Sequence, residues 1–353
     1  MKIAVVRNRK NEGVLARFGV PSPEKYGRAT VQGVADALRA AGHRVRILEG
    51  DATLLANLGE FMPADPVTGA PTGLVFNMSY GIQGECRYVH VPVLLEMAGV
   101  PYTGSGPRAH AACLDKVLTK LLVHEAGVRT PAFCTMRAPD DFDASLRFPL
   151  VVKPRHESTS LGLALVHDRE TLHAAVANIV ATYGQDALVE EYIDGREVAV
   201  GLLGNDPPEV LPIVELDFGD RPSRIVTKGD KFHKTSDEPE KVCPAPLEPA
   251  LEREVRELAQ RVWQACGCRD YARIDVRIDA AGRPWVLEIN SMASLGAGGS
   301  YMRGATTAGW TFETLVAAIV DRAHARYFGT PAPRDAAADV AAESPAFVTE
   351  LED

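Results

Sequence analysis

The sequence has too few basic residues to build a nucleic-acid surface. Its 38 lysines and arginines face 47 aspartates and glutamates, a net charge of −9, whereas such a surface needs a basic footprint. It has no apolar run approaching the ~20 residues that cross a bilayer, so no membrane partner is expected. The apolar stretch Ile3 to Val6 is too short for a signal-peptide core and reads as a strand. No two of the six cysteines form a CxxC pair, so zinc-site spacing is missing. Reduced thiols in a cytoplasmic protein are expected, with Cys266 and Cys268 serving as packing. A GxxxxGK[ST] loop is absent, which excludes a P-loop. Arg7-Asn8-Arg9-Lys10 follows the first strand where a GxGxxG fingerprint would stand. There is no GxSxG elbow and no HExxH.

What is present is the composition of a folded protein, 46% hydrophobic and 24% charged over 353 residues. At roughly 150 residues per domain that is two to three domains. Strands are expected at Lys2–Val6, Arg44–Leu48 and Leu74–Phe76, with helices at Ala29–Ala41 and Val91–Ala98. This βαβ rhythm implies a parallel α/β unit over residues 1–108. A helix at Ala109–Ala126 opens a mixed α+β unit, 109–203. It has strands Leu150–Lys153, Leu163–Val166, Ala187–Ile193 and Val198–Leu203 and helix Glu170–Tyr183. A third unit, 204–330, has strand Val210–Leu216, a polar loop Gly219–Pro239 and helix Leu251–Cys266. Strands Ala272–Ile278 and Pro284–Ile289, a Gly/Ser loop and helix Thr311–Ala325 complete it. Residues 331–353 carry −5 of the charge and read as a flexible acidic tail.

Alternation in strands places Arg273 with Asp275 on one face and Glu288 with Asn290 on another. A turn at Asp279–Arg283 folds the two strands into a hairpin that brings these pairs together. Two carboxylates and an amide are hard oxygen ligands suited to Mg²⁺ bridging a polyphosphate; a solvated hairpin with a surface salt bridge is the plainer alternative. Lys153 ends an apolar strand beside the hydroxyl-rich loop Glu157–Gly162, and Lys116 follows Gly104-Ser105-Gly106 on a helix. Both are candidate phosphate cations, although a lone lysine is more often a solvated surface group. Glu190, Glu191 and Glu197 form an acidic strand edge able to read an adenine amino group and a ribose hydroxyl.

In this order the motifs resemble the ATP-grasp superfamily, and most closely the D-alanine–D-alanine ligase family, over residues 1–328. The matching stretches are Pro101–Gly106, Leu114-Asp115-Lys116, Val151–Pro154, Val189–Glu197, Cys243-Pro244-Ala245, Arg273-Ile274-Asp275 and Leu287–Asn290. The resemblance implies a three-domain ATP-grasp fold, with an N-terminal parallel α/β domain and ATP held between two α+β domains. Lys116 and Lys153 would then contact phosphates. Glu190, Glu191, Ile193 and Glu197 would hold adenine and ribose. Asp275, Glu288 and Asn290 would bind two Mg²⁺ ions, with Mn²⁺ as a substitute. Arg273 would meet the oxyanion of the tetrahedral intermediate, Lys231 would cover the γ-phosphate, and Glu24 would hold the first substrate's ammonium. The implied activity is an ATP-dependent carboxylate–amine ligase working through an acyl phosphate on amino-acid-like small molecules. A homodimer is the implied assembly.

The departures fall where the family reads its amino acids. Its HGxxGEDG becomes Tyr80–Arg87, placing Tyr80 and Glu85 at the substrate. Its Lys-Tyr becomes Lys231-Phe232, and its Gly-Ser-Ser becomes Ser158-Thr159-Ser160. Its Asn-Thr-x-Pro-Gly-Met becomes Asn290–Ser300, with Gly296 and Ser300 expected at the substrate. Altered substrate choice with retained ATP chemistry is the expectation. A phosphotransferase on this scaffold and a non-catalytic ATP-binding protein stand as alternatives.

Overall fold

The computed structural model of the chain describes residues 1–17, 24–221, 224–226, 239–330 and 332. Ile3 to Val6 are fully buried in β1 (Lys2–Arg7), as a strand covered on both faces requires. Helix α1 (Arg28–Ala40) buries Val31, Val34, Ala35 and Leu38, one stripe at helical spacing. Then come β2 (Arg44–Glu49), α2 (Leu54–Phe61), β3 (Gly73–Asn77) and α3 (His90–Met97). The strands pair in parallel in the order β2-β1-β3. The short α2 was not expected; it buries Leu54, Leu58 and Phe61 against this sheet's core.

The helix expected over Ala109–Ala126 is two helices, α4 (Pro107–Leu114) and α5 (Lys116–Glu125). Asp115 breaks it. Its backbone is extended (φ −81, ψ 102), and its carboxylate accepts from the Val117 and Leu118 amides as an N-cap. The break starts a new helix at Lys116, which fixes where that lysine's side chain leaves the backbone.

The second sheet takes β4 (Phe133–Met136), β5 (Leu150–Pro154) and β6 (Ala164–Val166). Helix α6 (Arg169–Tyr183) and β7 (Ala187–Glu191) complete it, in antiparallel order β4-β7-β5-β6. Asp168 caps α6 through the Thr171 amide, and Gly184 ends it in the left-handed conformation (φ 65).

The third sheet holds β8 (Gly195–Gly204), β9 (Glu209–Val210), β10 (Val214–Asp217) and β11 (Glu240–Val242). Helix α7 (Pro249–Cys266), β12 (Asp270–Asp279) and β13 (Pro284–Asn290) follow, and α8 (Ser300–Thr307) and α9 (Phe312–Phe328) end the fold. The strand order is β11-β10-β8-β12-β13, with β9 also on β8. Residues 109–203 therefore supply two sheets, and the chain crosses between them through Tyr192, Ile193 and Asp194. Pro212 stands between β9 and β10, where one strand was expected; proline offers no ladder donor. Helix α8 replaces the end of the expected Gly/Ser loop. It buries Tyr301, Met302 and Ala305, and any side chain at Gly304 would strike the Pro212 carbonyl. Cys113, Cys266 and Cys268 are buried, with Cys113 and Cys268 sulfurs 3.7 Å apart. Of the expected tail only Ala332 is described, buried against the first core. Among the described residues no helix is long and apolar enough to cross a membrane.

Candidate active site

The second and third sheets, with loop and helix residues of the N-terminal unit such as Tyr26, Thr30, Tyr80 and Tyr88, line one cavity of about 520 Å³. Lys116, the first residue of α5, and Lys153, on β5, enter it from different elements and are both 7% exposed. Lys116 Nζ bonds the Glu157 carbonyl. Burial pulls its pKa down to about 8, with Glu288 opposing. Burial acts the same way on Lys153, but the carboxylates of Glu190, Glu288 and Glu197 outweigh it and raise its pKa. Glu190 does not stand open to a base. Its carboxylate lies 2.5 Å from Lys153 and 2.7 Å from Lys120, all three side chains buried. Burial would raise its pKa, but the two lysines hold it below the ordinary value.

On the hairpin, Asp275 stands opposite Glu288, and Arg273 opposite Asn290. The Arg273 guanidinium grips Asp275 with two bonds of 2.7 Å. Asn290 Nδ2 donates to Asp275 at 3.1 Å and to Glu288 at 3.5 Å. The three oxygen-bearing side chains thus converge in the same cavity as Lys116 and Lys153. The described residues contain no cluster of three His, Cys, Asp or Glu. Two carboxylates with an amide form a hard donor set that fits Mg²⁺, not a soft metal.

The other walls complete the picture. Glu191, Ile193 and Glu197 line the cavity, but the Glu191 carboxylate is engaged by exposed Arg147 at 3.2 Å and its amide by the Ala132 carbonyl at 2.9 Å. Thr159 and Ser160 line it too, both at positive φ (55 and 56), and the Thr159 hydroxyl is buried without a hydrogen-bond partner among the described residues. Non-glycine residues held there store strain, as binding loops do. At the far end Tyr26 stacks on Tyr80 at 4.9 Å, and Tyr80 meets Tyr88 at 5.3 Å. Burial keeps these phenols neutral, their pKa values well above the ordinary one. Glu24 accepts from the Tyr88 hydroxyl at 2.5 Å and from Arg87 at 3.4 Å. Arg87 also donates to the His156 carbonyl and to Glu157, tying this corner to the hydroxyl loop. Ser300, at the start of α8, lines the cavity.

Two expected substrate residues are elsewhere. Glu85 is exposed and off the cavity, because the turn before Arg87 points it to solvent. Gly296 is not in the wall either; its amide bonds Ser294 and its carbonyl holds the Gly299 amide, so it shapes the loop from behind. Lys231 and Phe232 lie outside the described residues. Among the residues of the site that were missed are Lys120, Arg277, Tyr26, Arg87 and Tyr88. Lys120 follows Lys116 by one helical turn and Arg277 follows Asp275 by two strand residues, so both shared a face with a residue already singled out. Arg87 and Tyr88 carried no such signal.

A family model described as D-ala D-ala ligase C-terminus matches residues 122–321. The chain is 49% identical to an uncharacterized protein, y4sG, of Sinorhizobium fredii, over 93% of this chain and 98% of that one. It is 32% identical to a D-alanine–D-alanine ligase of Bordetella petrii, covering 92% and 97% of the two chains. Its fold matches that of the D-alanine–D-alanine ligase from Bacillus anthracis complexed with ATP. That match has a TM-score of 0.70 at 20% identity and covers 92% and 97% of the two chains. The convergence of buried lysines and hard oxygen donors in one cleft thus has a family to go with it: the chain is an ATP-grasp protein and belongs to the D-alanine–D-alanine ligase family.

Proposed function

We propose that the chain is an ATP-dependent ligase that joins an amino acid, or a similar carboxylate, to an amine through an acyl phosphate. The observation that carries this is the meeting of Lys116, Lys153, Arg273, Asp275, Glu288 and Asn290 in one cavity. A carboxylate is a poor electrophile. Attack of its oxygen on the γ-phosphorus, with ADP leaving, turns it into a mixed anhydride. Lys116 and Lys153 hold the charge of the transferring group. The amine then attacks the acyl carbon, phosphate leaves, and the amine's extra proton passes to solvent or phosphate. Arg273 meets the oxyanion that develops between those events. Asp275, Glu288 and Asn290 would hold Mg²⁺, which when bound neutralises phosphate charge. Glu197 and the backbone of Glu191 and Ile193 receive the nucleoside.

The tyrosine end, with Glu24, Tyr80 and Ser300, receives the amino-acid substrates. Tyr80 and Ser300 lie in stretches that depart from the family pattern, so the pair joined need not be two D-alanines. The test is ADP release across paired L- and D-amino acids with Mg²⁺, with products read by mass spectrometry. Hydroxylamine added in place of the amine should yield a hydroxamate. ADP release that leaves a stable phosphorylated product and no hydroxamate would favour a phosphotransferase. No ADP release with any pair would end the ligase reading.

A further inference from the structure

Arg277 is a buried charged group of the cavity wall to which the ligase reading gives no task. It follows Asp275 by two residues on β12, so its side chain leaves the same face of the sheet. It is 3% exposed. In register it stands directly across from Glu197 on β8, and its Nη2 lies 3.1 Å from that carboxylate. Nη1 donates to the carbonyls of Ile193 and Gly195 at 3.2 and 3.4 Å and to the Tyr192 hydroxyl at 3.3 Å. Nη2 also donates to the Arg224 carbonyl. The guanidinium lies over the Tyr192 ring, 5.0 Å from its centroid. All of these partners but Arg224 fall within residues 192–197, the crossing between the second and third sheets and the first residues of β8.

A guanidinium is planar, permanently charged and rigid in the placement of its donors. Here one fork fixes two carbonyls at the crossing and, from the same plane, the Glu197 carboxylate. We propose that Arg277 is a positioning residue for sugar recognition. It sets Glu197 in the orientation that accepts hydrogen bonds from the vicinal hydroxyls of a ribonucleotide. This rests on the reading of the cavity as an ATP site. It extends that reading by assigning the choice between ribose and deoxyribose to a residue that touches neither the phosphates nor the reacting carboxylate. A carboxylate held to receive a hydroxyl discriminates strongly against an analogue lacking it, and a carboxylate free to turn does not.

The experiment is equilibrium binding of ATP and of 2′-deoxy-ATP, each with Mg²⁺, to the full chain and its variants. The wild type is expected to prefer ATP by about tenfold or more, the range of a hydrogen bond to a charged group. Arg277→Met should reduce that preference to about twofold. Arg277→Lys, which keeps the charge without the fork, should fall between them. In a Glu197→Gln background, Arg277→Met should change the preference no further. Should Arg277→Met fail to fold, judged by near-ultraviolet circular dichroism, Arg277→Lys carries the comparison. A wild-type preference that survives Arg277→Met or Arg277→Lys overturns the proposal, as does an equal loss of affinity for both nucleotides. So does a further loss in the Glu197→Gln background, or a wild type that binds the two nucleotides alike. A wild type that binds neither nucleotide overturns the ATP site itself, and the proposal with it.

Discussion

Lys153 and Glu190 form an ion pair of 2.5 Å on neighbouring strands, with both side chains buried, and Lys120 closes on the other oxygen of the same carboxylate. One buried negative charge thus answers two buried positive ones, and one of those faces the cavity. Glu190→Ala removes the carboxylate that both ammonium groups touch, leaving Lys153 only the more distant Glu288 and Glu197. It should destabilise the protein by about 3–5 kcal/mol, the range for breaking a buried pair, read by urea unfolding. Lys120→Met should cost less, because Lys153 keeps Glu190 paired. A Glu190→Ala protein as stable as the parent would show that the lysines are satisfied another way.

Arg273 grips Asp275 with both arms of its fork while lining the cavity. Arg273→Ala should retain ATP binding and lower ligation by about 100-fold or more, the size of a lost oxyanion donor. Binding and turnover measured side by side check this; ligation near the parent rate would remove Arg273 from the oxyanion role.

His110 is buried on α4, its Nδ1 2.8 Å from the Ser291 hydroxyl, and burial pulls its pKa down to about 4. The unfolded chain binds a proton near pH 6.5 that the folded protein refuses until about 4. Stability therefore contains a contribution that is complete above pH 6.5 and is lost as pH falls towards 4, by up to about 3 kcal/mol. His110→Asn should flatten the stability profile across that window. Urea midpoints at pH 7, 5.5 and 4.5 for both proteins give the comparison, and parallel profiles would mean His110 titrates normally.

Asp115 both caps α5 and receives two bonds from Arg155, at 2.8 and 2.6 Å. Burial would raise its pKa, but His156 and Arg155 outweigh it and hold the carboxyl well below the usual range. Asp115→Ala should destabilise by about 1–2 kcal/mol through the lost cap and raise the KM for ATP, because Lys116 starts at that cap. Asp115→Asn, which still caps, should recover most of the stability. Two variants of equal stability would argue against the capping role.

The hairpin of Arg273, Asp275, Glu288 and Asn290 was legible because strand alternation fixes which side chains share a face, and pairing then brings the two faces together. Lys153 was legible from its position at the end of an apolar strand, and Lys116 from its place on a helix after Gly104-Ser105-Gly106. The double helix of residues 107–125 was not, since Ala109 to Ala126 keeps a helical pattern and only the capping geometry of Asp115 interrupts it. Glu190 looked like one of several acids at a strand end. Its neutralisation by Lys120 depends on how α5 packs beside β7, a tertiary fact that no local pattern holds. Glu85 was read from its place in a motif, and a turn residue's direction is set by the backbone around it, not by its neighbours in sequence.

The tyrosine corner is assembled from Glu24, Tyr26, Tyr80, Arg87 and Tyr88, all within the first ninety residues, whereas the lysines and oxygen donors begin at residue 116. In the function proposed above, most of the substrate-facing wall and the catalytic one would therefore come from different lengths of polypeptide, with Ser300 the exception. On that proposal, exchanging the leading segment for that of a relative would replace most of the upholstery of the acid chamber while the engine behind it stayed in place.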